Sequence, residues 1–164
     1  MNINIVNLAD QMNYLDVISR WLWQEWGKES TFEYIKYAVQ HHAQRDRIPM
    51  TFVALAEDEP IGTVSLWMND LKCRQDLYPW LAGLYVVEEK RKMGIGKLLQ
   101  AHAIAEARKL GYPYLYLITD HDGYYERLGW TFKELAPKAD GEYTRVYSFD
   151  LLTASSQQQS RPFS

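Results

Sequence analysis

Arg91-Lys92-Met93-Gly94-Ile95-Gly96 is the stretch from which the rest of this chain is read. It follows an apolar run, Trp80-Leu81-Ala82-Gly83-Leu84-Tyr85-Val86-Val87, that reads as a buried strand. It precedes Lys97-Leu98-Leu99 and a long helical pattern. A strand, a glycine-bearing turn and a helix, in that order, suit a phosphate. Glycine lets an anion approach the backbone, and the free amides and positive dipole end of the helix receive its charge. Gly-x-Gly alone is a weak signal. The stretch lacks the third glycine of the dinucleotide fingerprint and the Gly-Lys-Ser/Thr ending of a P-loop. A plain tight turn therefore stands beside the phosphate reading.

Composition narrows the classes. A length of 164 residues suits one domain with a full core. With 47% apolar and 24% charged residues, the chain has the make-up of an ordinary soluble globular protein. Its 6 Trp and 12 Tyr point first to heavy aromatic use in the core and second to an aromatic-lined cleft. A net charge of −3 gives no global attraction to nucleic acid or anionic lipid, so any anion site is local. A single cysteine, Cys73, excludes an internal disulfide and a cysteine-cluster metal site. No signal-like N-terminus and no apolar run of spanning length is seen, so a cytoplasmic location is expected.

From the N-terminus, Asn2 to Asn7 alternates as a strand, and Asp10 is placed to cap the helix that follows. Leu15, Ile18 and Leu22 form its buried face, Trp21, Trp23 and Trp26 crowd its end, and Gly27 stops it. Ser30 and Glu33 have capping-box spacing for a second helix, with Phe32, Ile35 and Val39 inward. His41 and His42 are adjacent and cannot share a helix face, which argues against a metal pair. Met50 to Glu57 and Ile61 to Met68 read as a hairpin about a turn at 57–60. Asn69 to Pro79 is a polar loop suited to flank a site. Ile95, Leu99, Ala103, Ala107 and Leu110 stripe the long helix, His102 lies off the stripe in solvent, and Gly111 ends it. Tyr112 to Thr119 is a strand that completes a parallel crossover. After a short turn ending in Gly129, Trp130 to Lys133 and Tyr143 to Leu151 read as a final strand pair. Residues 154–164, rich in Ser and Gln, are expected to be a disordered tail to a domain spanning 1–153.

Val86-Val87-Glu88-Glu89-Lys90-Arg91-Lys92-Met93-Gly94-Ile95-Gly96-Lys97-Leu98-Leu99 resembles the acetyl-coenzyme A signature of the GNAT superfamily of N-acetyltransferases, Arg/Gln-x-x-Gly-x-Gly/Ala. Tyr124-Tyr125-Glu126-Arg127-Leu128-Gly129-Trp130 resembles a second block of that family, Phe-Tyr-Glu-Lys-x-Gly-Phe. Two blocks in order are fairly specific, and the resemblance covers most of residues 1–151. It implies an α+β fold. A central, mostly antiparallel mixed sheet carries parallel, splayed fourth and fifth strands and flanking helices. It also implies acetyl transfer from acetyl-coenzyme A, used as a cosubstrate without a metal, to the primary amine of a small molecule or peptide. Direct attack within a ternary complex is the implied route.

Carried over by residue, the resemblance implies that Leu84, Tyr85 and Val86 lie along the pantetheine arm, with the Leu84 amide on the thioester carbonyl. It implies that Arg91, Lys92, Met93, Gly94, Ile95, Gly96 and Lys97 hold the pyrophosphate, with Ile95 also anchoring the helix in the core. Tyr125 matches the tyrosine beside the coenzyme sulfur and would protonate the departing thiolate. The chain departs from one family pattern. Where some members have a glutamate base, it has Trp80. Asp76 leads the alternative bases, with Asp70, Asp120, Asp122 and His121 behind it. Cys73 has no neighbouring histidine to activate it and reads as a surface thiol.

The acceptor is left open. Asp70 and Asp76 favour a cationic amine, Lys72 and Arg74 oppose one, and Trp21, Trp23, Trp26 and Trp80 favour a bulkier group. Nucleic-acid and membrane partners are not expected, and the resemblance allows a homodimer. A coenzyme-binding sensor without turnover is the second hypothesis, which an intact Tyr125 argues against. A nucleotide-binding α/β protein is the third. The hairpin before the glycine turn and the missing ribose-binding acid oppose it.

Overall fold

In the computed structural model, residues 1–153 are described, and the expected tail at 154–164 lies outside the described residues. The elements are β1 (Ile3–Asn7), α1 (Leu15–Trp26), α2 (Phe32–His41), β2 (Met50–Ala56), β3 (Glu59–Trp67), β4 (Trp80–Val86), α3 (Ile95–Lys109), β5 (Tyr114–Thr119), β6 (Thr131–Pro137) and β7 (Tyr143–Asp150). The seven strands follow the order β1-β2-β3-β4-β5-β7-β6. The chain folds as two compact units. One holds Met1–Leu66 and Gly83–Ala103, the other Trp67–Ala82 and everything from Ile104 onward. Both β4 and α3 therefore have residues in each unit.

In the first unit, β1 pairs antiparallel with β2 from Ile3 opposite Ala56 to Asn7 opposite Phe52. The hairpin of β2 and β3 turns on two residues, Glu57 and Asp58, at φ 50° and 68°. That is the turn whose twist matches its strands. It is tighter than the four-residue turn expected at 57–60, because Pro60 sits in β3 opposite Leu55. The α1 stripe packs as expected. Ile18 and Leu22 join Leu8, Val39, Val53 and Leu55 in one buried cluster, with Leu15 and Ile35 against it.

Three local expectations for this unit are corrected. Asp10 does not cap α1; its carboxylate accepts from Arg45 Nε at 2.6 Å, and two short turns intervene before the helix. Thr31, not Ser30, caps α2, accepting from the Tyr34 amide at 3.1 Å. His102 is not solvated off the stripe; its ring meets Phe52 edge-on at 4.6 Å.

In the second unit, β5 and β7 pair antiparallel from Tyr114 opposite Asp150 to Thr119 opposite Arg145. β6 pairs antiparallel with the other edge of β7, from Thr131 opposite Ser148 to Pro137 opposite Tyr143. The last two strands thus pair as expected; β6 runs on to Pro137, past the expected Lys133, and β7 ends at Asp150, one residue before the expected Leu151. β4 joins β5 in parallel with Trp80 opposite Tyr116, beside a Tyr116 N–H bond to the Pro79 carbonyl at 3.0 Å. Leu71, Leu77, Trp80, Ala136 and Val146 make the buried cluster of this unit.

Candidate active site

The glycine turn belongs to the first unit. β4 brings Leu84, Tyr85 and Val86 to it half-buried, and Gly83 just before them has φ +58°. A left-handed glycine is unusual inside a strand and locally distorts the ladder at this point. Leu84 is the residue that follows it. After a short turn at Glu88–Lys90, the Arg91 guanidinium folds back, donating from Nε to the Val86 carbonyl at 2.9 Å and lying 5.5 Å from the Tyr85 ring centroid. Arg91 therefore braces the turn through its side chain.

Lys92 at φ 63° and Gly94 at φ 82° are left-handed. Such conformations along a turn let successive amides converge on a concavity that suits an anion. The first amide satisfied within the helix is Leu98 N–H, on the Gly94 carbonyl at 3.1 Å. The Ile95, Gly96 and Lys97 amides consequently have no intrahelical acceptor. Ile95 is 1% exposed, so its side chain anchors the helix while its amide stays in the turn. Lys92, Met93 and Lys97 are exposed.

Space around the glycines is informative. A Cβ at Gly94 would meet nothing within 4 Å. A Cβ at Gly96 would touch only Val86 Cγ2 at 4.0 Å, an ordinary contact. Gly94 is needed for its positive φ. Gly96 has neither a positive φ nor a crowded neighbour, although glycine in a helix costs about 1 kcal/mol relative to alanine. The protein itself gives no reason for a glycine there.

Tyr125 belongs to the second unit. Its carbonyl accepts from the Leu128 and Trp130 amides at 3.0 and 3.1 Å, and the turn ends at Gly129 with φ 93°. The ring is 8% exposed, flanked by Tyr124 at 4.9 Å, Tyr147 at 5.8 Å and Trp130 at 6.1 Å between centroids. Burial, and secondarily Tyr124, pushes its phenol up to about 12. The proton therefore stays on Tyr125 at neutral pH. Tyr147 was not among the sequence candidates. It lies 21 residues from the Glu126 carboxylate to which it donates at 2.8 Å, and no local pattern marks that pair.

Loop 69–79 is also in the second unit. Asp76 is exposed and gripped by Arg74, which donates from Nε and Nη2 to its two oxygens at 2.9 Å each. That pairing holds the Asp76 carboxyl below the usual carboxylate range. Arg74 also binds Glu134 of β6. Asp70 is half-buried, and burial pushes its carboxyl up to about 7. Asp120, His121 and Asp122 are exposed, and Asp122 pairs with Arg145 at 3.5 Å. Cys73 is an exposed thiol that donates to the Pro137 carbonyl at 3.3 Å. Among the described residues no three His, Cys, Asp or Glu side chains gather as a metal site.

The tryptophans divide. Trp80 is fully buried and donates from Nε1 to the Leu77 carbonyl at 2.6 Å, so it is core rather than pocket lining. Trp21 lies 5.2 Å from Tyr85, Trp23 donates to the Ser30 carbonyl at 3.0 Å, and Trp26 is 60% exposed.

A mixed sheet with parallel β4 and β5, and a β4 that leads through a glycine turn into α3, is the architecture of an acyltransferase domain. Residues 15–130 match the model of the Acetyltransferase (GNAT) family, and the chain belongs to that family. It is accordingly an acetyl-coenzyme A-dependent N-acetyltransferase. No curated protein matches it. The fold is similar to that of an aminoglycoside 6'-N-acetyltransferase complexed with coenzyme A, at TM-score 0.73 and 18% identity over 99% of this chain and 100% of that one. It is similar to an aminoglycoside 6'-acetyltransferase type Ii, at TM-score 0.70 and 21% identity over 92% and 97% of the two chains. It is also similar to the ribosomal-protein-S18-alanine N-acetyltransferase from Escherichia coli, at TM-score 0.63 and 16% identity over 92% and 94%. The residues present are compatible with the cosubstrate: a Cβ at Gly94 or Gly96 would meet no crowding atom, so the backbone of the turn is open there. Among the described residues no helix is long and apolar enough to cross a membrane.

Proposed function

We propose that this protein transfers the acetyl group of acetyl-coenzyme A to a primary amine by direct attack, both substrates being bound together. The observation that carries the reading is the vacant Cβ direction at Gly96, a glycine with no purpose inside the protein. In this reading the amides of Lys92 to Lys97 hold the pyrophosphate, with Lys92 and Lys97 adding positive charge, while the Arg91 amide is already engaged by the Glu88 carbonyl at 3.2 Å. The Leu84 amide donates to the thioester carbonyl, where negative charge develops. Tyr125 Oη hydrogen-bonds the departing sulfur and gives up its proton as the C–S bond breaks; it is loaded at neutral pH, and the negative charge developing on the sulfur must offset the raised affinity that burial gives the phenol.

An amine must lose a proton to attack, and a base works best with a proton affinity near the operating pH. Asp70, pushed up to about 7, meets that condition better than Asp76, whose pairing with Arg74 lowers its affinity for a proton. On proton affinity alone, Asp70 ranks ahead of Asp76 as the candidate proton acceptor. The residues acting here fall within 1–153, which we take as the catalytic domain.

The test is free-thiol release from acetyl-coenzyme A against polyamines, aminoglycosides, amino acids and short peptides, with a no-acceptor control. Release that depends on one amine class is the expected result. A thermal shift with acetyl-coenzyme A and no release across the panel would favour a binding-only protein.

A further inference from the structure

Resting on the reading of Tyr125 as the proton donor, we infer that the hydrogen bond from Tyr147 to Glu126 positions it. Tyr147 sits in β7, opposite Leu117 of β5 on one side and Phe132 of β6 on the other. A residue in the middle of three paired strands has little freedom. Its side chain is wholly buried, with the ring 5.8 Å from Tyr125 and 5.7 Å from Phe132. From that fixed base the hydroxyl donates to Glu126 Oε1 at 2.8 Å.

Glu126 is the first residue of the turn that Tyr125 opens. One bond therefore pins the backbone step adjoining the proton donor. It is a hydrogen bond to a carboxylate, the stronger kind, given by a buried hydroxyl to a Glu126 that is itself exposed. The shared bond holds the Glu126 carboxyl down and, together with burial, holds the Tyr147 phenol up, so Glu126 stays an acceptor and Tyr147 a donor. Arg145 is two residues earlier in β7, so it projects to the same face of the strand. It reaches Asp122 at 3.5 Å, upstream of Tyr125. That second tie is weak, since Asp122 is 73% exposed and water screens the pair. Tyr147 is thus the principal clamp. It touches no reacting atom and acts through the placement of the Tyr125 hydroxyl.

Tyr147→Phe removes the donor and keeps the ring, so packing survives. The experiment is a double-mutant cycle on kcat with Tyr125→Phe, with the dissociation constant for acetyl-coenzyme A and the melting temperature read on every variant. Tyr147→Phe is expected to lower kcat roughly tenfold, the scale of a small misplacement of a reacting group. Coenzyme affinity is expected to stay within about twofold, since uniform binding is untouched. In the Tyr125→Phe background the same change is expected to have no further effect on kcat. Glu126→Gln retains an oxygen acceptor and is expected to recover most of the rate that Glu126→Ala loses.

A wild-type kcat in Tyr147→Phe overturns the inference. So does an equal loss with and without Tyr125, which would mark a merely structural contact. Tyr125→Phe with an unchanged kcat is a different failure: it removes the proton-donor reading itself and is seen in the single variant.

Discussion

The turn at Arg91–Gly96 and the turn at Tyr125–Leu128 solve opposite problems. The first is open, built from backbone, and shaped by what it leaves out: a Cβ at Gly94 or Gly96 meets almost nothing. The second is closed, built from side chains, and shaped by what it packs in, with Tyr125 8% exposed among three aromatic rings. Holding an anion takes many amides converging on it, and a side chain in the way would cost contact. Handling one proton takes a single hydroxyl with a set affinity, and burial sets it. A backbone site should therefore fail when something is added, and a side-chain site when something is removed.

Tyr125→Phe is the deepest removal. It is expected to lower kcat about 100-fold or more, the usual worth of a placed acid, while coenzyme affinity holds. Rate measurements beside equilibrium binding separate the two. Gly96→Leu is the matching addition. It is expected to weaken coenzyme binding roughly 10- to 100-fold, the loss of one or two bonds to a charged group. The melting temperature of that variant without ligand should hold or rise, because leucine favours a helix over glycine. A variant that both binds normally and melts normally would break the comparison.

Asp70 provides a smaller and sharper test. Its carboxyl is up at about 7 in the folded protein against an ordinary value of 3.8. Between those limits the folded state keeps a proton that the unfolded state gives up. Stability from this group is therefore complete below about pH 4 and is lost as pH rises towards 7. Asp70→Asn is expected to raise the melting temperature at pH 8 by about 2–4 °C. The same change should abolish a pH-rate limb near 7. Asp76→Asn should leave that limb in place. Trp26→Ser is expected to be the mildest change, within about 0.5 kcal/mol by denaturant titration, because the ring is 60% exposed.

Periodicity made much of the fold legible. The Ile95, Leu99, Ala103 and Ala107 stripe is buried, and the long strands lie where alternation or apolar runs placed them. Glycines marked the open turn because an absent side chain is visible in a sequence. Pairings between distant side chains were not visible. Asp10 looked like a cap, yet Arg45 competes for it from 35 residues away. Ser30 and Thr31 are both competent caps, and the choice turned on where the backbone becomes helical. His102 reads as polar, but Phe52 from another strand offers its ring a partner. Tyr147 is silent for the same reason, since its role depends on β7 lying between β5 and β6. Asp70 and Asp76 look alike in the sequence as loop carboxylates, and neither the Arg74 grip on one nor the burial of the other shows there.

The division of the chain bears on how the protein is made. The first unit needs Gly83–Ala103 as well as Met1–Leu66, so it lacks a part until Ala103 has left the ribosome. Until then Phe52 of β2 waits for His102, whereas the apolar face of α1 already has its partners Leu8, Val39, Val53 and Leu55 within Met1–Leu66. At about 5–20 residues per second that wait lasts a few seconds. Neither unit corresponds to a single cut of the gene. A fragment ending at Leu66 carries most of the first unit's residues but none of its glycine turn. The glycine turn proposed to hold phosphate thus arrives together with the last segment that completes its unit, and a nascent chain truncated before it lacks that turn altogether.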